Sequence, residues 1–189
     1  MAPAILRSVF WRRLERPGAE CFTLSATDSG WRLAGTVLLL LAERPLRIEY
    51  AIECGGDWKT RSVEAAVEAA GESRKLRIAV DEQRRWRMPD RELEAVRGAI
   101  DVDLSFSPST NTLPIRRLDL PVGESRDVAA AWILVPDLDV RLLPQRYTRL
   151  SESRYRYESR GGSFVAEIEV DELGLVQDYP GIWKREGAG

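Results

Sequence analysis

The chain has 189 residues, 44% of them hydrophobic and 31% charged, with a formal net charge of −2. That length can bury one sizeable core, and the near-neutral balance argues against nucleic acid or an anionic membrane surface as a partner, because both require a basic field. Histidine is absent, which excludes Ser-His-Asp and Cys-His nucleophiles, histidine metal sites and imidazole pH switches.

The N-terminal stretch Met1 to Arg16 breaks its apolar residues with arginines and has no signal-peptide core. The longest apolar run, Val37 to Ala42, is far too short to span a membrane. Cys21 and Cys54 are too few for a disulfide scaffold or a zinc site. The expectation is a cytoplasmic, soluble protein with no metal and no cofactor.

Ile5 to Leu14 fits either a strand or a helical turn before the Pro17-Gly18 break. Glu20 to Ala26 alternates with an apolar even face, Phe22, Leu24 and Ala26. Trp31 to Ala42 is apolar on both faces, which predicts a central strand covered on both sides or one wall of an apolar cavity. Leu46 to Cys54 alternates cleanly and predicts a half-buried antiparallel strand. Trp58 to Ala70 has helix-forming composition but strand alternation, and Gly71 before Lys75 to Val80 suits a hairpin. Pro89 to Gly98 allows one helical turn. Asp101 to Phe106 predicts a strand, Pro108 to Thr112 a loop, and Leu113 to Val122 a strand whose apolar phase slips at Arg116-Arg117, as a β-bulge would cause. Arg126 to Val135, Val140 to Arg149, Arg154 to Glu158, Phe164 to Val170 and Leu175 to Tyr179 complete the predicted strands, followed by a C-terminal tail. About a dozen short strands with turn signals predict an all-β barrel or sandwich.

The densest chemistry lies between Asp101 and Leu120. Asp101 and Asp103 share a strand face with Ser105 and Ser107, opposite Val102, Leu104 and Phe106. Two carboxylates at that spacing could serve a glycosidase-type reaction, or form a solvated face. Thr110 and Asn111 stand in a polar cluster suited to sugar hydroxyls or to local backbone bonding. Arg116 and Arg117 would bind a ligand anion or answer Asp101 and Asp103. Trp58 with Arg61, and Gln145-Arg146-Tyr147, combine aromatic, arginine and amide groups as sugar-binding surfaces do, though core packing with arginines at the rim is the favoured explanation of each cluster alone.

These segments together resemble a known family. TNTLPIRRL at Thr110 to Leu118 preceded by DVDLS at Asp101 to Ser105, CGGDWKTRS around Trp58 and Arg61, QRYT at Gln145 to Thr148, and VDELGLVQDYPGIW at Val170 to Trp183 resemble a bacterial family first classed as a domain of unknown function and later labelled putative glycolipid-binding. The resemblance implies a single all-β domain over residues 1–189, a strongly curved antiparallel sheet forming a barrel-like or half-barrel shell around lipid-like ligands. It implies no catalytic residues. Around Asp81 to Glu94 the chain departs from the family pattern, with EQRRWRMPDRE where a glycine-rich hairpin is expected.

The function expected is therefore non-catalytic binding of a glycolipid or other amphipathic small molecule. Leu39, Leu41, Ile48 and Tyr50 would line the interior. Trp58, Arg61, Asp101, Asp103, Thr110, Asn111, Arg116, Arg117, Gln145, Arg146 and Tyr147 would bind the polar group. The alternatives are a carboxylate-dependent enzyme acting on a sugar or phosphate ester, and a protein-interaction module.

Overall fold

The computed structural model describes residues 3–189, so the first two residues of the N-terminal stretch lie outside it. Fourteen strands form one sheet: β1 (Ala4–Arg13), β2 (Gly18–Thr27), β3 (Gly30–Leu41), β4 (Arg44–Gly55), β5 (Thr60–Ala69), β6 (Glu72–Val80), β7 (Trp86–Arg87), β8 (Asp101–Leu104), β9 (Ser125–Leu134), β10 (Asp139–Arg149), β11 (Arg154–Ser159), β12 (Phe164–Val170), β13 (Val176–Tyr179) and β14 (Trp183–Ala188). The order is β7-β6-β5-β4-β3-β2-β1-β14-β13-β12-β11-β10-β9-β8. Every neighbouring pair is antiparallel except β8 and β9. The sheet is strongly curved and not closed into a ladder, a half-barrel as the family resemblance implied.

Strand alternation builds the inner face. Leu46, Ile48, Tyr50, Ile52 and Cys54 of β4 are all buried, while Arg47, Glu49 and Glu53 face outward. Val63, Ala65 and Val67 do the same on β5, and Leu76, Ile78 and Val80 on β6. The alternation, not the helix-forming composition, governs residues 60–69, because a strand there buries its three inward side chains against neighbours on both sides. They join one cluster with Trp11, Phe22, Leu24, Leu33, Leu104 and Phe106. Each fully buried aliphatic side chain contributes about 1.5–3 kcal/mol. Trp11 adds a buried hydrogen bond from its indole N–H to the Val176 carbonyl, 2.7 Å.

Three expectations are corrected. Residues Thr112–Leu118 form a helix, α1, not a bulged strand. β8 and β9 run parallel and need a crossover between them. Pro114 falls in the first helical turn, where its missing N–H is not needed. The apolar phase slip at Arg116-Arg117 was the helical period: Leu113 and Ile115 are buried and the two arginines occupy the last turn. The C-terminal segment is strand β14, paired with β1, because Trp183 continues the inward-facing pattern. β3 is not covered on both sides: Leu38 is exposed on its outer face, and Leu41 lines a recess at the sheet end.

The β8 edge of the sheet meets the start of β5 at a seam. The Thr60 N–H donates to the Ile100 carbonyl (3.3 Å), and the Val102 N–H donates to the Thr60 hydroxyl (3.2 Å). Arg84 adds three bonds, to the carbonyls of Ala99, Thr60 and Ile100, at 3.2, 2.9 and 2.6 Å.

Antiparallel connectivity puts the turns at 14–17, 42–43, 70–71, 135–138, 160–163 and 180–182 at one end of the shell. At the opposite end Trp58 stacks on Trp31, with ring centroids 4.6 Å apart, and the Arg116 guanidinium lies 5.5 Å from the Trp58 ring.

Candidate functional site

The eleven residues singled out in the sequence separate into five places. Trp58 and Arg116 close the far end of the shell, and Arg61 there donates to the Ser29 carbonyl at 3.1 Å. Asp101 is buried and both its oxygens are held by Arg117, at 3.0 and 2.5 Å. Burial pulls the Asp101 carboxyl upward and the Arg117 bonds oppose it. Thr110 and Tyr147 sit in the interior: the Thr110 hydroxyl accepts from the Leu104 N–H (3.2 Å), and the Tyr147 hydroxyl donates to Asn111 Oδ1 (3.0 Å). Arg146 lies on the outer face in an exposed pair with Asp127. Arg117 lines one cavity, beside Ile100 and Asp127, and Asp103 and Asn111 line a separate one, with Gln145 behind Asp103.

That cavity is a polar cleft of about 470 Å³ at the turn end. Arg13, Glu15 and Arg16 come to it from the β1–β2 turn, Trp132 and Leu134 from β9, Arg160 from the β11–β12 turn, and Tyr179 and Trp183 from β13 and β14. Tyr179 and Trp183 lie in the Val170 to Trp183 segment quoted for the family resemblance. Two arginines lie against tryptophan rings, Arg13 at 5.3 Å from Trp183 and Arg160 at 5.3 Å from Trp132. Such contacts hold a guanidinium in place while leaving its edge available.

Asp103 supplies the acceptor in this cleft. Its Oδ2 receives Gln145 Nε2 at 2.5 Å, and the same amide nitrogen reaches the Tyr157 hydroxyl at 3.1 Å. Desolvation raises its carboxyl to about 6, against the Gln145 bond and the charge of Arg160. The expectation that arginine would answer Asp103 as it answers Asp101 is corrected: an amide does so, because Arg117 on α1 is already committed to Asp101.

Glu20 was not singled out in the sequence. It is fully buried under the cleft. Its Oε1 accepts from the Tyr50 hydroxyl (2.5 Å) and the Ser107 hydroxyl (2.8 Å), and Ser109 Oγ joins both of these at 2.7 Å. Oε2 has no partner. Desolvation is the dominant influence and raises the carboxyl to about 8, the two hydroxyl bonds opposing it. Glu20 therefore stays protonated at neutral pH. Ser107 links this network to the cleft wall. The signal was present: Glu20 shares the even, apolar phase of Phe22 and Leu24. Arg13 likewise continues the inward phase of Val9 and Trp11.

A second cavity, about 910 Å³, opens at the same end. Leu41, Pro45, Leu46, Val67, Ala69 and Pro136 provide its apolar lining. An Arg74–Asp137 pair at 2.9 Å crosses from β6 to the β9–β10 turn beside it. Leu134 lines the cleft and Pro136, two residues on, lines this recess. Leu39, Ile48 and Tyr50, expected to line a ligand chamber, are packed into the core instead, and only Leu41 faces this space. Among the described residues there is no cluster of three or more acidic, cysteine or histidine side chains suited to a metal. None of the described helices is long and apolar enough to cross a membrane.

A family model described as "putative glycolipid-binding" matches residues 8–185. A crystal structure of a DUF1089 family protein from Pseudomonas aeruginosa is 36% identical, with a TM-score of 0.80 over 88% of this chain and 91% of that one. A comparison with curated proteins returns no match.

Proposed function

We propose that this chain, which belongs to the family described as "putative glycolipid-binding", holds one amphipathic molecule across the turn end of its shell. The head group occupies the polar cleft and the alkyl chain enters the apolar recess. The observation that carries this reading is the placement of the two cavities at the same end of the shell, with Leu134 at the end of β9 lining one and Pro136 in the following turn lining the other. Both volumes, about 470 and 910 Å³, fall within the roughly 300–1,000 Å³ of small-molecule sites. Asp103 accepts from sugar hydroxyls, Asn111 and Ser105 edge the same wall, and the half-buried Trp132 offers apolar ring surface to a pyranose.

The test is a hexyl, octyl and decyl glucoside series followed by tryptophan fluorescence. Each methylene entering an apolar recess is worth about 0.8 kcal/mol, so affinity rises about fourfold per carbon. Ala69→Trp, which fills the recess, removes the dependence on chain length. Trp132→Ala weakens every member of the series equally. Saturable binding that ignores both substitutions, or no binding, refutes the proposal.

A further inference from the structure

The cleft is not chemically symmetrical in its charges, and the imbalance falls on one side chain. Among the described residues it holds three arginines against two carboxylates. Arg13 and Arg16 both pair with Glu15, whose carboxyl their charge and hydrogen bonds hold below its usual range despite some desolvation. Asp103 is held by Gln145. The Arg160 guanidinium alone has neither a hydrogen bond nor a carboxylate within 4.0 Å among the described residues. It is an exposed side chain, but one held against a ring. It lies over the Trp132 ring, and Trp132 pairs directly with Asp103 across β8 and β9. Its backbone has φ of 54°, a left-handed conformation uncommon outside glycine, at the point where β11 ends and Gly161-Gly162 turns the chain.

We infer that Arg160 is an oxyanion site, and that the head group this cleft takes is acidic, carrying a carboxylate or a phosphate. This rests on the amphiphile reading above. Arg160 sits in the turn at the rim and Asp103 on the strand below it, so one ligand offers its hydroxyls to Asp103 and its anion to Arg160. A planar guanidinium already held by stacking presents two parallel N–H donors to an oxyanion, the arrangement in which arginine binds such groups most strongly. A wholly neutral sugar would leave those donors without an ionic partner.

Octyl glucuronide and octyl glucoside differ only in a carboxylate against a hydroxymethyl, and octyl phosphate carries an anion without a sugar. At pH 7.5 and low salt the glucuronide should bind the wild-type protein at least about tenfold tighter than the glucoside, as a charge-assisted bidentate contact provides. Arg160→Gln should abolish that preference, read as the ratio of the two affinities, so that any shift common to both ligands through Trp132 or Asp103 cancels. Arg160→Lys, which keeps the charge but loses the fork and the stacking, should retain only part of it. Octyl phosphate binding that also needs Arg160 would place phosphate head groups in the class, and its failure to bind would restrict the class to acidic sugars. Equal affinity for glucuronide and glucoside, or a preference that survives Arg160→Gln, overturns the inference while the amphiphile reading stands. If none of the three binds, both fall together.

Discussion

Replacing Glu20 by glutamine should change how the stability of this protein depends on pH, more than it changes stability at any one pH. The Glu20 carboxyl lies at about 8 in the folded protein against an ordinary 4.5. A group whose folded value is raised contributes stability that is complete below the unfolded value. That contribution is lost as pH rises through the folded value. The window is therefore pH 4.5 to about 8, over which the folded protein keeps a proton that the unfolded chain has released. At 1.36 kcal/mol per unit, the loss across the window is roughly 4–5 kcal/mol in order of magnitude, with a slope near 1.4 kcal/mol per pH unit in its middle. Asp103, raised to about 6, adds a slope of the same sign only up to that pH. With no histidine in the chain, Glu20 dominates between pH 6 and 8. Glutamine keeps the oxygen that accepts from Tyr50 and Ser107 but cannot ionise. It also leaves an amide N–H in the unpartnered Oε2 position, a fixed cost of about 1–3 kcal/mol that does not vary with pH. Urea unfolding followed by tryptophan fluorescence at half-unit intervals from pH 5 to 9 measures the difference. The wild-type curve should fall from pH 5 to about 8 and level off beyond, and the Glu20→Gln curve should be much flatter between pH 6 and 8. Two parallel curves would show that Glu20 is not held neutral by the fold, and the reasoning from its burial would fail.

Other outcomes follow from the same geometry. Asp101→Asn or Arg117→Met alone strands a buried charge and should cost about 3–5 kcal/mol in denaturant unfolding, while the double substitution should recover much of it. Gly35→Ala should lower the melting temperature by the equivalent of about 1–3 kcal/mol. A Cβ there would lie 2.8 Å from the Tyr50 ring and 2.9 Å from Glu20 Oε1. Octyl glucoside affinity should weaken as pH falls through about 6, where Asp103 takes up its proton and ceases to be a charged acceptor. Asp103→Asn should remove that dependence in a fluorescence titration at pH 5 to 8.

Most strands were legible because their inward and outward residues alternate without interruption, as in Leu46 to Cys54. Thr60–Ala69 was legible for the same reason, despite its helix-forming composition. α1 was not, since seven residues with a proline give too few turns for a helical period to be told from a slipped strand. The site was only partly visible. Asp103, Asn111 and Gln145 stood out as polar residues in an informative segment. Trp132, Arg160 and Glu15 come from turns and strand ends distant in sequence, and nothing local brings them to one cleft. Glu20 and Arg13 were visible as charges in an apolar phase, a stronger indication than the clustering of polar residues that drew attention elsewhere.

The seam between Thr60 and Ile100 has a consequence for life in a crowded solution. An open sheet ordinarily ends in a row of bare amides and carbonyls on which a second molecule can lay down its own strand, the first step toward polymers. Here β7 is only two residues long, and the carbonyls of Ala99, Ile100 and Thr60 next to the other edge are covered by one guanidinium. Arg84 thus works as a stopper. Its removal would leave the inner fold standing but uncover backbone that neighbouring molecules could pair with, so loss of this one side chain should register in solubility before it registers in stability.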